Sequence, residues 1–353
     1  VAEEPNLTIS AKRPSIIFIT RKWPPAMGGM ETYCKRLTEE MAKTHPLDII
    51  ALPGKANGDV PSALSLIWFG LTTAIRILFM KPASIIHIGD VASWPLGWVA
   101  SLRHSQSKIV LSAHGSDLNY ATGNGLLPSI YARYIRLATK LLPKVKIIAN
   151  SSWIADLARE QGFSDVVTVP LATDIKAEQM PGQHNDCLFF AGRIMPSKGL
   201  SFIVKEVMPL LSAPLKIRVA GTVWDEQEGS ILSDPSVEYL GVLDQEGLIE
   251  EYGKALCVVV PSLGKEGFGL VAAEAAACGG VVLASNHSGL AEVVTEDIGF
   301  VADPYKPDEW AAVIKKMRGW LPEDRSEFLQ KSMAITQARY CWNRVAMDTL
   351  SSY

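Results

Sequence analysis

The sequence has no C-x-x-C pair: its five cysteines, Cys34, Cys187, Cys257, Cys278 and Cys341, stand far apart. Cys257 falls in an apolar run and Cys278 in an Ala-rich one. They read as small buried hydrophobes in a reducing, cytoplasmic compartment, not as a disulfide frame. No signal-peptide pattern opens the chain, because the first apolar run starts at Ile16 and is only strand-length. No Asp-x-Asp occurs, nor any His/Cys/Asp cluster at metal spacing, so neither a metal nor another cofactor is expected. No Gly-x-Gly-x-x-Gly follows a strand, which argues against an NAD dehydrogenase. A long membrane-spanning run is also lacking. The longest apolar stretch, Ala63 to Met80, carries Ser65, Thr72, Thr73 and Arg76. Ser65, Thr72 and Arg76 fall near one helical face, which reads as a core-facing helix rather than a span.

What is present is an uneven charge. Residues 1–170 hold 18 Lys+Arg against 12 Asp+Glu, a net of +6, and residues 171–353 hold 16 against 25, a net of −9. The acidic second half disfavours nucleic acid as a partner, while the basic first half suits a phosphorylated or lipid-linked one. Short apolar runs alternate with helical patterns twice over. Strands are expected at Ile16 to Thr20, Leu47 to Leu52, Ile85 to Ile88, Ile109 to Ala113, Ile147 to Asn150 and Val166 to Pro170. They recur at Cys187 to Ala191, Lys216 to Ala220, Val237 to Leu240, Ala255 to Val260, Val281 to Ala284 and Phe300-Val301. The polar segment 171–186, with Pro181 and Gly182, separates the two series as a linker. The fold class is α/β, with two Rossmann-like domains, 1–170 and 187–335, facing a central cleft.

The chain is organised around Pro261 to Gly280, PSLGKEGFGLVAAEAAACGG. A buried strand, a Gly-rich turn and an Ala-rich helix follow one another. The amides of Phe268, Gly269, Leu270 and Val271 open the helix, where unpaired donors and the dipole attract phosphate. Glu266 and Glu274 flank that end, and carboxylates accept from hydroxyls, so a sugar on one side and a ribose on the other would suit them. A solvated loop Glu and a helix-face Glu are the plain alternative. Gly28-Gly29, before the helix from Met30 to Lys43, allows backbone to approach a ligand at a second helix N-terminus. His114 stands at the carboxyl end of a strand, as a ligand contact or a packed cap, and Asp117 reads as a helix cap. Arg193 and Lys198 lie five apart in a Gly-bounded loop after a strand, either converging on one anion or simply exposed. In the helix from Ser129 to Leu142, Arg133, Arg136 and Lys140 share a face that is either solvated or docked on anionic lipid as a peripheral contact on the inner side of a membrane.

Glu, seven residues, Glu, with Phe-Gly-Leu after the first, resembles the signature of the retaining glycosyltransferases of family 4, which have the GT-B fold. Gly28, Gly29 and Glu31, His114-Gly115, and Arg193 with Lys198 match further motifs of that family in order. The resemblance implies hexosyl transfer from a nucleotide-diphosphate sugar to a hydroxyl acceptor, as in surface polysaccharide or glycolipid biosynthesis, without a metal. It implies that Glu266 and His114 hold the donor sugar, and that Glu274 holds the ribose. Gly28, Gly29, Arg193, Lys198 and the amides 268–271 would hold the diphosphate. Val242 is the candidate for the nucleobase. A UDP-sugar, such as UDP-glucose or UDP-N-acetylglucosamine, is favoured over GDP-mannose. Ser288 to Glu292 resembles the family's Gly-Gly-x-x-Glu segment, with Ser288 in place of the first Gly, so Glu292 is not assigned a contact. The final helix of a GT-B fold crosses back onto the first domain, expected here for 336–353. A nucleotide-sugar 2-epimerase of the same fold and a non-catalytic nucleotide-sugar-binding module are the other readings.

Overall fold

The computed structural model describes residues 14–26, 28–55, 59–180, 182 and 184–353. Parts of the expected first domain and Pro181 of the linker lie outside them. Among the described residues, the short apolar runs form two parallel sheets of six strands each. The first holds β1 (Ile16–Trp23), β2 (Leu47–Pro53), β3 (Ile85–Ile88), β4 (Lys108–Ala113), β5 (Lys146–Ala149) and β6 (Asp165–Thr168), in the order β2-β1-β3-β4-β5-β6. The second holds β7 (Cys187–Ala191), β8 (Lys216–Ala220), β9 (Val237–Gly241), β10 (Cys257–Val260), β11 (Val282–Ser285) and β12 (Gly299–Ala302), in the order β12-β11-β10-β7-β8-β9. Helices cover both faces, which is why the central strands are apolar throughout rather than alternating. Along β1, Ile17 and Ile19 pack one way against Ile77 and Ile135, and Ile16 and Phe18 pack the other way against Leu37 and Met41.

Strand order reverses between β1 and β3 in the first sheet and between β7 and β10 in the second. Open parallel sheets take ligands at the carboxyl ends beside such a reversal. The loops after β1, β7 and β10 carry Gly29, Arg193 and Glu266 respectively, so topology alone directs these residues to one crevice.

Two expectations need correction. The segment from Ser326 to about Thr349 reads from its sequence as one helix, but it forms two, Pro322–Arg339 and Trp342–Ser352. The chain breaks at Tyr340 (φ −112°, ψ 47°), whose ring stands edge-on to Phe268 at 5.4 Å and whose carbonyl accepts the Thr173 N–H at 3.2 Å. Beyond the break, the last helix packs on Gly29–Ala42, and the Tyr353 hydroxyl meets His87 Nδ1 at 2.6 Å. The linker packs against both halves: Leu171 and Ala172 are buried in a core shared by both sheets, and Arg36 Nε donates to Asp174 at 2.7 Å.

The second correction concerns Ala63–Phe79, which is a helix but not a core-facing one. Only Thr73 and Ile77 are buried, while Leu64, Trp68 and Phe79 are 79%, 70% and 84% exposed. Ser65, Thr72 and Arg76 do share an outward face, but the apolar residues beside them, Leu64, Ile67, Trp68 and Leu71, face outward as well, so a single polar face did not set the helix's orientation. Among the described residues no helix is long and apolar enough to cross a membrane.

Candidate active site

A cleft of about 460 Å³ lies between the two sheets. Gly29, His114, Arg193, Lys198, Glu266, Phe268, Gly269, Leu270, Val271 and Glu274 all line it. Two of the residues singled out from sequence do not. Gly28 sits just behind Gly29, where a Cβ would come 2.5 Å from Glu31 Oε2. Val242 is 72% exposed and stands apart from the lining, because β9 ends in a turn that directs it to solvent.

Two helix N-termini meet in this cleft. Gly269 caps Leu270–Ala277 in the left-handed region (φ 109°), and a Cβ there would sit 2.8 Å from Leu290 Cδ2. Only glycine meets both demands. The cap leaves the first amides, of Leu270 and Val271, without a side-chain acceptor. Across the cleft, Gly28 caps Gly29–Ala42, again with no side-chain cap. A Cβ on Gly29 would lie 3.2 Å from Leu270 Cδ1, so the two positive ends face one space.

Glu266 is held on three sides. Lys198 Nζ and Ser262 Oγ donate to the same oxygen, Ser262 at 2.6 Å, and the Glu266 N–H donates to Ser288 Oγ at 2.9 Å. Burial pushes its pKa up, but Lys198, Ser262 and Arg193 together pull it down further, and the net is below the usual carboxylate value. It is therefore an anion whose charge is already committed. Ser288 adopts φ 53°, a conformation glycine takes more readily, which accounts for the glycine of the related motif. Serine supplies instead the hydroxyl that fixes the Glu266 backbone. Glu274 is different. Burial raises its pKa to about 7, opposed only by the Tyr252 hydroxyl, which donates at 3.1 Å. His114 is 4% exposed, and burial holds its pKa down to about 4, so the ring is neutral at pH 7. Its Nε2 lies 3.2 Å from the Gly89 carbonyl, and Asp117 accepts the His114 N–H at 2.9 Å, acting as a cap.

Arg193 and Lys198 do not meet at one protein group. Lys198 pairs with Glu266, whereas the Arg193 guanidinium lies over the Trp224 ring, 4.7 Å from its centroid. Both nonetheless line the same cleft as the two helix N-termini. Sequence reasoning missed Ser262, Tyr252 and Asn150. Asn150 follows β5, beside the strand that leads into His114. It is 6% exposed, and its Oδ1 has no hydrogen-bond partner. An unmade bond of this kind destabilises by about 1–3 kcal/mol. Its place just past the end of a strand, at the carboxyl edge of the sheet, was the available signal.

The two halves touch at the rim. A Cβ on Gly267 would lie 2.7 Å from Gly115 Cα. Glu292, left without a contact in the sequence reading, accepts the N–H groups of Ser152 and Trp153 at 2.7 Å each, capping Ser152–Glu160 of the other half. Among the described residues, no three His, Cys, Asp or Glu side chains are grouped as metal ligands.

The family profile described as Glycosyltransferase Family 4 matches residues 27–177, and the one described as Glycosyl transferases group 1 matches residues 185–318. A phosphatidyl-myo-inositol mannosyltransferase of Propionibacterium freudenreichii is 29% identical over 251 residues, 66% of this chain and 63% of its own length. A D-inositol 3-phosphate glycosyltransferase of Segniliparus rotundus is 27% identical over 76% of this chain and 66% of its own. The chain thus spans just under two thirds of the length of these relatives. A glycosyltransferase of Methanocaldococcus jannaschii is 24% identical over 96% of this chain and 97% of its own. Among solved structures, HepE of Anabaena in complex with UDP and glucose superposes with a TM-score of 0.71 at 16% identity, covering 97% of this chain and all of that one. Sucrose-phosphate synthase of Thermosynechococcus elongatus superposes at 0.74 and 19% identity, over 96% and 97%. With two matched halves, two parallel sheets and one cleft between them, the chain belongs to the family 4 glycosyltransferases of GT-B fold.

Proposed function

We propose that the cleft transfers a sugar from a nucleoside diphosphate to an acceptor hydroxyl with retention of configuration. The observation that carries this reading is the joint placement of two helix N-termini, Arg193 and Lys198 beside an ionised, hydrogen-bonded Glu266. When the bond from the anomeric carbon to the diphosphate breaks, positive charge grows on the sugar and negative charge on the leaving group. Fixed amide dipoles and cations aimed at the leaving oxygens stabilise that charge without reorganising. Glu266, tied by Lys198 and Ser262, serves as an acceptor for sugar hydroxyls and not as a nucleophile. The acceptor oxygen bonds to the anomeric carbon on the face the diphosphate leaves, and its proton passes to the departing phosphate. Asn150 Oδ1 would accept from a hydroxyl of the sugar or the acceptor. Neutral His114 acts as a shaped wall of the sugar site. The groups named supply this charge stabilisation without a metal ion. The acceptors named for the two inositol-related proteins make an inositol-type hydroxyl a reasonable first candidate, alongside surface glycolipids. UDP-, GDP- and dTDP-sugars are the donors to screen.

Glu274 provides the test of nucleotide binding. A ribose hydroxyl donating to it favours the ionised form. Its folded pKa, about 7, is raised above the ordinary value, so the site holds a proton below pH 7 that ribose binding must displace. Calorimetry with UDP and GDP should show affinity level above about pH 8 and weakening by up to about tenfold per unit below pH 7. Glu274→Gln should bind more weakly, with a flat profile. An affinity that improves on acidification contradicts the assignment.

A further inference from the structure

We infer that the helix Ala63–Phe79 and its neighbours form a face that docks on an anionic lipid bilayer. The inference stands on the first half of the molecule alone, independent of the reaction in the cleft. Leu64, Ile67, Trp68, Leu71, Ile75 and Phe79 follow one another at three- and four-residue spacing, and each is 57% to 84% exposed. They form one stripe on the side of the helix opposite buried Thr73 and Ile77. An ordinary surface helix turns such a stripe inward. Here it faces out along a helix about 25 Å long. Contiguous apolar surface of this extent marks an interaction site rather than scattered exposure.

Charge selects the occupant. Between Val60 and Ala155 the chain carries nine Lys or Arg and two carboxylates, Asp90 and Asp117. Both carboxylates are buried, at 0% and 6% exposure. The surface of this segment therefore presents cations only. Arg76 and Lys81 flank the stripe. Arg103, on the next helix, Trp94–Arg103, donates to the Leu78 carbonyl at 3.1 Å and borders it. A later helix, Leu126–Leu141, repeats the combination, with Leu126, Leu127 and Ile130 exposed beside Arg133, Arg136 and Lys140. A second copy of this chain would set cation against cation, whereas acidic headgroups neutralise them while the stripe enters the acyl boundary. A groove of about 520 Å³ runs between this helix and residues 92–99. Ile67 and Leu71 of the stripe line it, and so does Arg21 of β1. It leads from the docked face toward the carboxyl ends of the strands, the end that faces the cleft.

The experiment is flotation of the full chain with phosphatidylcholine vesicles, with and without phosphatidylglycerol, over a range of salt. Capture should require phosphatidylglycerol and decline with salt. Trp68→Glu with Leu71→Glu should abolish it, and each of Arg133→Glu and Lys140→Glu should weaken it roughly fivefold or more. These residues are exposed, so the variants should keep the wild-type melting temperature and nucleotide affinity. Capture that ignores phosphatidylglycerol, or that survives Trp68→Glu with Leu71→Glu, overturns the inference. So does a dimer that these variants dissociate while vesicles are not bound.

Discussion

Lys198→Ala and Glu266→Ala are each expected to lower turnover by about 10²–10³-fold, the loss seen when one pre-aimed group is removed from a closed site. The double variant should lose little more than either single one. The two side chains form one unit: Lys198 donates to Glu266, and both are 22% exposed, so removing either leaves the other charged and poorly solvated. Such residues act non-additively. Donor affinity should change less than turnover, because the Leu270–Ala277 amides and Glu274 stay in place. Ser262→Ala removes one neutral hydrogen bond to Glu266 and should have a smaller effect. Steady-state kinetics on the three variants would check the order. Additive losses would mean that the Lys198–Glu266 pair is not a unit and that neither side chain depends on the other for its role.

Gly267→Val should abolish transfer, by 10²-fold or more on the same scale, while leaving nucleotide binding near wild type. Most of the groups proposed to hold the nucleotide, Glu274, Arg193 and the amides of Leu270 and Val271, belong to the second half, and the Gly29–Ala42 N-terminus is the contribution of the first. Catalysis by contrast needs both halves closed on the substrate. Gly267 and Gly115 face each other so closely that even a Cβ would press on backbone, which cannot yield as a flexible side chain can. Glu292→Ala should act in the same direction and more mildly. It removes the carboxylate that caps the Ser152–Glu160 N-terminus across the rim, without introducing a clash. Calorimetry beside kinetics separates the two effects. If Gly267→Val loses nucleotide affinity along with turnover, the damage is to the loop itself and not to closure.

The strands were legible because each is a short, mostly apolar run bounded by turn residues, and the central ones are buried on both faces. Every expected strand has a counterpart in the sheets. The site residues that follow strands at the points of reversal were legible for the same reason: Arg193 after β7 and Glu266 after β10 sit where topology sends ligands. What could not be read depended on partners distant in sequence. Glu292 meets amides about 140 residues away, and no local pattern announces it. Asn150 looked like the end of a strand, and only the packed structure shows its oxygen without a donor. Ala63–Phe79 was misassigned because one face carrying Ser65, Thr72 and Arg76 was taken to leave the rest for the core, whereas only Thr73 and Ile77 are buried. Val242 was named because the resemblance places the nucleobase at the loop after β9; its side chain is exposed and does not line the cleft.

The central claim is that the protein's own cations and helix ends carry the departing diphosphate's charge. Its most direct test is the initial rate of nucleoside diphosphate release from the preferred donor, measured in EDTA for the wild type and for Arg193→Ala with Lys198→Ala. Full wild-type turnover in the chelator, with a loss of about 10³-fold or more in the double variant, is the predicted result. Turnover that the chelator abolishes, or that the double variant retains, contradicts it.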